Sequence, residues 1–343
     1  MDAPGKTRTE RAARSGERRR PTGAPAAPAA VSADRVAQVT VGEDGAGQRL
    51  DNYLLKLAKG VPKSHVYRIV RSGEVRVNKA RATVSQRLAA GDVLRVPPLR
   101  TAACATPRAT PLADLPPILF EDEHLLVIDK PAGLAAHGGS GIAFGLIERL
   151  RAARPQQPFL ELAHRLDRGT SGVLLLAKSR RALVRLHEQL REGQVDKRYL
   201  TLVAGDWVND RQHIKAALTK YVTKAGERRV AVDPEGMPSH TIITLRERLG
   251  EFSLLEAQLK SGRTHQIRVH LAHAGFAIVG DEKYGDFDLN RRLARGDFGA
   301  KFGRMFLHAF HASLVHPVSG ERLVLEAQLP PECDELLRTL RHA

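Results

Sequence analysis

The residues of this chain best suited to chemistry lie in one polar segment, Ala163-His164-Arg165-Leu166-Asp167-Arg168-Gly169-Thr170-Ser171-Gly172, which runs into the apolar stretch 173–177. A single carboxylate, Asp167, stands between Arg165 and Arg168. Positive neighbours favour the ionised form of a carboxylate, and a nucleophile or general base needs that form. Gly169 to Gly172 supply turn residues ahead of a run composed like a buried strand. The same triplet is also the ordinary make-up of a solvated surface turn, so taken alone it does not choose between the two.

Three further stretches contain reactive or punctuating residues. Ser261-Gly262-Arg263-Thr264-His265-Gln266-Ile267-Arg268-Val269-His270 combines two arginines with two histidines, and Asp196-Lys197-Arg198-Tyr199 opens a strand pattern with an aromatic ring. A lone strand tyrosine commonly serves core or cross-strand packing. Asp129-Lys130-Pro131-Ala132-Gly133 and His137-Gly138-Gly139 read first as turn punctuation. The close histidines His265, His270 and His273, with His308, His311 and His316 downstream, raise a metal centre as the rival reading. No HExxH, no CxxC and no ordered carboxylate–histidine spacing supports it, so these rings are expected to hydrogen-bond backbone or phosphates. Neither GxxxxGK[ST] nor GxGxxG occurs, and no nucleotide cofactor is expected.

The elements that must carry these residues divide the chain. With 343 residues there is room for two domains with separate cores. Residues 1–34, rich in Arg, Pro, Ala and Gly and including Arg18-Arg19-Arg20, read as a disordered basic tail. Residues 35–98 read as a small α/β domain. Leu50, Tyr53, Leu54 and Leu57 repeat at helical spacing. Ser64 is placed to cap a second helix lined by Val66, Ile69 and Val70, and Gly73 to close it. Segments 74–78 and 92–96 alternate like half-buried strands. A Pro/Ala-rich linker is expected over 99–116. From 117 to 343, strand patterns at 124–128, 173–177, 199–203, 239–245, 252–259 and 322–327, with a helix at 181–191, predict an α+β domain with a mixed, mostly antiparallel sheet. No internal repeat is evident.

Charge points to the partner. The formal net charge is +16 and the sequence pI about 10.3, the footprint of a nucleic-acid-binding protein. Residues 35–99 hold twelve Lys/Arg against five Asp/Glu. Lys63, Arg68, Arg71, Arg76, Lys79 and Arg81 crowd the second helix and the hairpin after it. Aromatic residues make up only 5%, which argues against extensive base-stacking platforms. The two cysteines, Cys104 and Cys333, lie far apart without metal-ligand spacing, as in a reducing cytoplasm. No apolar run is long enough to span a membrane, and the N-terminus has no signal-peptide apolar core.

The string HRLDRGTSG resembles the catalytic motif of the RluA-type pseudouridine synthase family, and Gly73-Glu74-Val75-Arg76-Val77-Asn78-Lys79 resembles the S4 RNA-binding domain. Together the resemblances cover about residues 40–335. They imply a pseudouridine synthase fold preceded by an S4-like domain whose helix and hairpin track RNA phosphates. They also imply Asp167 as the catalytic residue, Arg268 as its ion partner, Tyr199 stacking on the target base, and Arg165 filling the gap left by the flipped nucleotide. The reaction breaks the N1–C1′ bond of a uridine, turns the uracil and forms a C5–C1′ bond, so the base must leave its stack and stay trapped. Attack by Asp167 at C1′ or C6, and removal of the 2′ proton, are both compatible with that scheme. Neither calls for a metal or a redox or nucleotide cofactor. Where relatives often carry Asp after HRLDR, this chain has Gly169, one capping carboxylate fewer. Lys63–Arg71, Leu186–Arg191 and Arg304–Ala309 look most like family members that modify 23S rRNA of the large ribosomal subunit in bacteria. The expected partner is therefore 23S rRNA or its assembly intermediates, bound by a cytoplasmic monomer. The same chemistry on tRNA, and a non-catalytic rRNA-binding or ribosome-assembly factor, are the alternatives.

Overall fold

The computed structural model describes residues 35–58, 61–99, 115–138 and 145–342, without the side chain of Lys63. The expected tail over 1–34 and most of the expected linker, with Cys104, lie outside the described residues. The chain divides into two compact units between Cys104 and Ala105.

The first unit contains β1 (Ala37–Thr40), α1 (Leu50–Leu57), α2 (Lys63–Arg71), β2 (Arg76–Val77), β3 (Ala80–Arg81) and β4 (Val93–Val96). Its antiparallel sheet runs β1-β4-β2-β3. Leu50 and Leu54 of α1, Val66, Ile69 and Val70 of α2, and Leu94 and Val96 of β4 meet in one core. Three details differ from the expectation. Pro62, not Ser64, caps α2, because its carbonyl already accepts from His65 and Val66 N–H at 3.0 and 3.2 Å. The strand expected over 74–78 shortens, because Asn78 and Lys79 adopt φ of 50° and 67° to form the tight turn between β2 and β3. Leu99, assigned to the linker by composition, is buried in this core.

The second unit contains β5 (Ile118–Glu121), β6 (Leu125–Lys130), α3 (Leu146–Ala153), β7 (Glu161–Leu162), β8 (Ser171–Ala177), α4 (Arg180–Arg191), β9 (Asp196–Ala204) and β10 (Arg211–Lys215). These are followed by β11 (Leu218–Val222), β12 (Arg228–Val232), β13 (His240–Leu249), β14 (Phe252–Leu259) and α5 (Gln266–His273). The chain then forms α6 (Phe287–Arg295), β15 (Leu307–Val315), β16 (Arg322–Glu326) and α7 (Pro331–Arg341). A ten-stranded sheet has the order β10-β13-β14-β9-β15-β8-β6-β5, with β16 on β15 and β7 on β8, while β11 and β12 form a separate hairpin. Among the described residues only β15 and β8 pair in parallel, so the sheet is mixed and mostly antiparallel, as predicted.

Burial on both faces explains the unbroken apolar runs 125–128 of β6 and 173–177 of β8. Leu174 and Leu176 of β8 join Leu126 and Ile128 of β6 in a core with α3 and α5. The alternate residues Val173, Leu175, Leu125 and Val127 join α4 on the other face. A third core packs α7 on Phe252 and Leu254 of β14.

Gly172 shows how tight this layer is. Its φ is 108°, and a Cβ there would lie 2.2 Å from the Ala309 carbonyl oxygen on β15. The obstacle is backbone, in the parallel pairing that holds the start of β8. Gly172→Ala is therefore expected to destabilise the fold by on the order of 3 kcal/mol or more. Urea unfolding would show this as a lower midpoint, and an unchanged midpoint would refute the argument.

Candidate active site

Asp167 sits on the loop between β7 and β8. Leu166 is buried in the α3/α5 core, and Thr170 N–H donates to the Asp167 carbonyl at 3.1 Å, so the loop enters β8 through a turn. The loop is tied to the segment after β6. Gly133 N–H donates to the Arg168 carbonyl at 2.8 Å, and Arg168 Nε returns a bond to the Gly133 carbonyl at 2.9 Å. Lys130, fully buried, directs Nζ at the carbonyls of Pro131 (2.9 Å), Leu134 (2.8 Å) and Arg168 (3.4 Å). Burial pushes this ammonium down to about 7. The Asp129–Gly133 stretch is thus more than turn punctuation: Lys130 ties it to the backbone next to Asp167.

The basic side chains within 4 Å of Asp167 are not its neighbours in sequence. Among the described residues they are Arg268, whose Nη1 donates to Oδ2 at 3.1 Å, and His265, whose Nε2 is 3.8 Å from the same oxygen. No hydrogen bond among the described residues reaches Oδ1. Arg268 is the partner that the family resemblance implied; of the flanking arginines, Arg168 turns to Gly133 and Arg165 is exposed.

Arg268 lies on α5 and is itself held. Its Nε and Nη2 both donate to the carboxylate of Asp281 at 2.7 Å, a fork that fixes the guanidinium plane. Burial works against the charge on Arg268, but Asp281 and Asp167 outweigh it, and the net shift is upward. For Asp281, burial favours the neutral acid. Arg268 and the N–H groups of Lys283 (2.8 Å) and Tyr284 (3.1 Å) more than offset it, so its carboxyl is held below the usual range.

His265 caps the N-terminus of α5 at φ 53°, a left-handed conformation that is uncommon for a residue with a side chain. The Tyr284 hydroxyl accepts from Val230 N–H at 2.9 Å and lies 2.9 Å from His265 Nδ1. Burial lowers the pKa of His265. Asp281 and Tyr284 were not singled out from the sequence. Their only signal is a carboxylate and a phenol between Gly280 and Gly285, which reads as a turn.

Tyr199 is buried on β9, opposite Ala257 of β14. Strand alternation sends Lys197 to the same side, while Asp196 and Arg198 pair with each other on the opposite side. Asp167, Arg165, Tyr199, Lys197, His265 and Arg268 line a cavity of about 500 Å³. Burial and the nearby Asp167 charge both raise the phenol pKa of Tyr199, which keeps it neutral.

The histidines of the rival metal reading are spread out. His270 lies within 2.9 Å of Ser239 and Thr241 hydroxyls, and His308 lies 2.9 Å from Ser171 Oγ and 3.2 Å from the Ala327 carbonyl. Burial pushes His308 down to about 4. Among the described residues no three His, Cys, Asp or Glu side chains group as metal ligands.

Comparison with known proteins bears on this site directly. Residues 124–273 match the RNA pseudouridylate synthase family, a span that holds Asp167, Tyr199 and Arg268. The ribosomal large subunit pseudouridine synthase C of Pasteurella multocida (strain Pm70) is 49% identical over 311 residues, 89% of this chain and 94% of the relative. This chain belongs to the RNA pseudouridylate synthase family. The protein of the same name from Escherichia coli (strain K12) is 48% identical over 312 residues, 89% of this chain and 97% of the relative. The solved structure of human RNA pseudouridylate synthase domain containing 4 aligns with a TM-score of 0.54 at 25% identity, over 66% of this chain and 93% of that one.

In this pseudouridine synthase, residues 48–94 match the S4 domain. Arg68, Arg71, Arg76, Lys79 and Arg81 are all exposed on α2 and the β2–β3 hairpin. Arg81 Nη2 donates to the Arg71 carbonyl at 2.7 Å and Arg76 Nη1 to the Lys79 carbonyl at 3.2 Å. These bonds join the helix and hairpin into one basic surface. Among the described residues, no carboxylate comes within ion-pair distance of these five side chains. The side chain of Lys63, at the start of α2, lies outside the described residues. No helix of the described residues is long and apolar enough to cross a membrane.

Proposed function

We propose that this enzyme converts uridines of 23S rRNA in the large ribosomal subunit to pseudouridine, with Asp167 as its catalytic carboxylate. The observation that carries the reading is a carboxylate anchored through one oxygen by Arg268 (3.1 Å), in a cavity that Tyr199 also lines. With Oδ2 anchored, Oδ1 is left to face the C1′–C2′ edge of a flipped nucleoside. Tyr199 stacks on the uracil and holds it after the N1–C1′ bond breaks. Arg165, exposed at the cavity rim, occupies the gap left in the RNA. The names of the relatives support the large ribosomal subunit as the source of the RNA. The enzyme acts as a cytoplasmic monomer, with residues 35–98 as the RNA-binding domain and 117–343 as the catalytic domain.

The test is chemical mapping of pseudouridine in cells with and without the gene. Loss of specific sites in 23S rRNA, restored by the wild-type gene, is the expected result. Unchanged rRNA with lost sites in tRNA would move the substrate, and no lost site in either RNA would leave a non-catalytic binding factor.

The basic surface of the first unit would contact phosphates without reading sequence. Removing residues 1–98 is expected to weaken rRNA binding and to flatten its salt dependence, by about 0.7–0.9 in log–log slope for each phosphate that the shortened protein no longer neutralises. Affinity titrations at several salt concentrations measure it, and an unchanged slope would count against the assignment.

A further inference from the structure

Two cavities meet at Asp167. The first is the one that Tyr199 lines; the second, of about 640 Å³, opens on the other side of the loop. Arg165, Leu166, Asp167, His265 and Arg268 line both and form the wall between them. Their chemistry differs. The first is also lined by Arg191, Lys197, Lys260 and Arg263, but it holds the Tyr199 ring with Leu259, Ile267 and Leu307, which suits a uracil. The second has no Phe, Tyr or Trp; its floor is largely glycine and alanine, and its arginines and lysine are Arg165, Arg168, Arg228, Arg268, Arg304 and Lys283 against the carboxylates Asp167 and Glu282.

Several of these cations are already engaged. Lys283 pairs with Glu227 at 2.7 Å, Arg304 with Glu332 at 2.9 Å, and Arg168 with the Gly133 carbonyl. Arg165 and Arg228 are exposed, and among the described residues no carboxylate lies within 4 Å of either. Arg228 is nonetheless held in place through its backbone. Its carbonyl lies 3.4 Å from Lys283 Nζ, and Arg229 Nη1 donates to the Lys283 carbonyl at 3.0 Å. Of Arg165 and Arg228, only Arg228 belongs to the second cavity alone, and a guanidinium without a carboxylate partner over a small-residue floor suits a phosphodiester and sugar, not a base.

Chain connectivity supplies the ligand. A uracil in the first cavity puts its ribose at Asp167, on the wall that the second cavity shares. We propose that the second cavity binds the nucleotide adjoining the target uridine and holds the phosphate between them with Arg228. The proposal rests on the reading of Asp167 as the catalytic carboxylate.

The test is a double-substitution cycle on the full-length protein with a 23S rRNA stem-loop that carries a neutral methylphosphonate at the phosphate 5′ or 3′ of the target. Arg228→Gln is expected to weaken RNA binding about tenfold, as is the methylphosphonate at one of the two positions, and the two changes together should weaken it no further. Arg228→Lys should restore most of the loss, which a disturbed fold would not allow. Additive effects at both phosphates, or no effect of Arg228→Gln, would overturn the proposal. Because the readout is affinity, the subsite is tested even if the wild type fails to turn the RNA over. That failure would strike only the proposed activity.

Discussion

Asp167→Asn is expected to lower pseudouridine formation by about 10⁴-fold or more, as loss of a group that reacts with the substrate does. The amide keeps the shape of the side chain but cannot act as nucleophile or base. The fold should survive, because Arg268 keeps its two 2.7 Å bonds to Asp281. RNA affinity should be largely intact, since phosphate contacts dominate binding. Forming the C5–C1′ bond displaces the C5 hydrogen, so tritium release from RNA labelled at uridine C5 measures turnover directly. A variant with normal release would show that the catalytic carboxylate has been misassigned.

Asp281→Asn should have the next largest effect, and through a different route. It replaces the carboxylate that the buried Arg268 grips with two bonds by an amide that can accept at only one position. Removing one partner of a buried pair costs about 3–5 kcal/mol, so the unfolding midpoint should fall clearly. Arg268 would also lose the plane that aims Nη1 at Asp167, lowering kcat more than it raises KM. Asp281→Glu should recover part of the rate. The pH dependence gives an independent check. The folded-state pKa of Asp281 lies below its ordinary value of 3.8. The stability it contributes is therefore fully present above that value and is lost as pH falls through the lower folded one. Acid unfolding of the wild type should be steeper than that of Asp281→Asn. Equal acid profiles, or a variant that loses stability with no change in kcat, would remove Asp281 from the positioning of Arg268.

Much of the architecture was legible because it follows local rules. The fully apolar stretch of β8 announces a strand covered on both faces, and the helical spacing of Leu50, Tyr53 and Leu54 announces α1. The local patterns did not announce α3, α5, α6, α7 or the inner strand β15, and other differences lie at boundaries. Pro62 displaced Ser64 as the cap because its carbonyl opens the first turn, and Leu99 was read from the prolines around it although its own side chain is core. The role of Lys130 was illegible because a Lys-Pro-Ala-Gly string looks like a turn, whatever carbonyls surround the ammonium.

The sequence by itself determined the family motifs, the mixed and mostly antiparallel sheet, the basic character of the first unit and the candidates Asp167, Tyr199 and Arg268. The sheet and the basic surface depend on residue type and near-neighbour spacing, and the three candidates on the resemblance of their motifs to the family. The pairing of Asp167 with Arg268 was implied by the family resemblance, but only the tertiary structure gives its physical reason and adds Asp281 and His265 to it. Arg165 and Arg168 flank Asp167 in the chain, yet the contact is made by Arg268, 101 residues away. That outcome depends on where β8, β9 and α5 place their ends around one core, and on a buried guanidinium needing a second carboxylate, which Asp281 provides. The second cavity belongs to the same class of facts. Its walls come from loops far apart in sequence, and no local pattern records that they converge on the same side of Asp167.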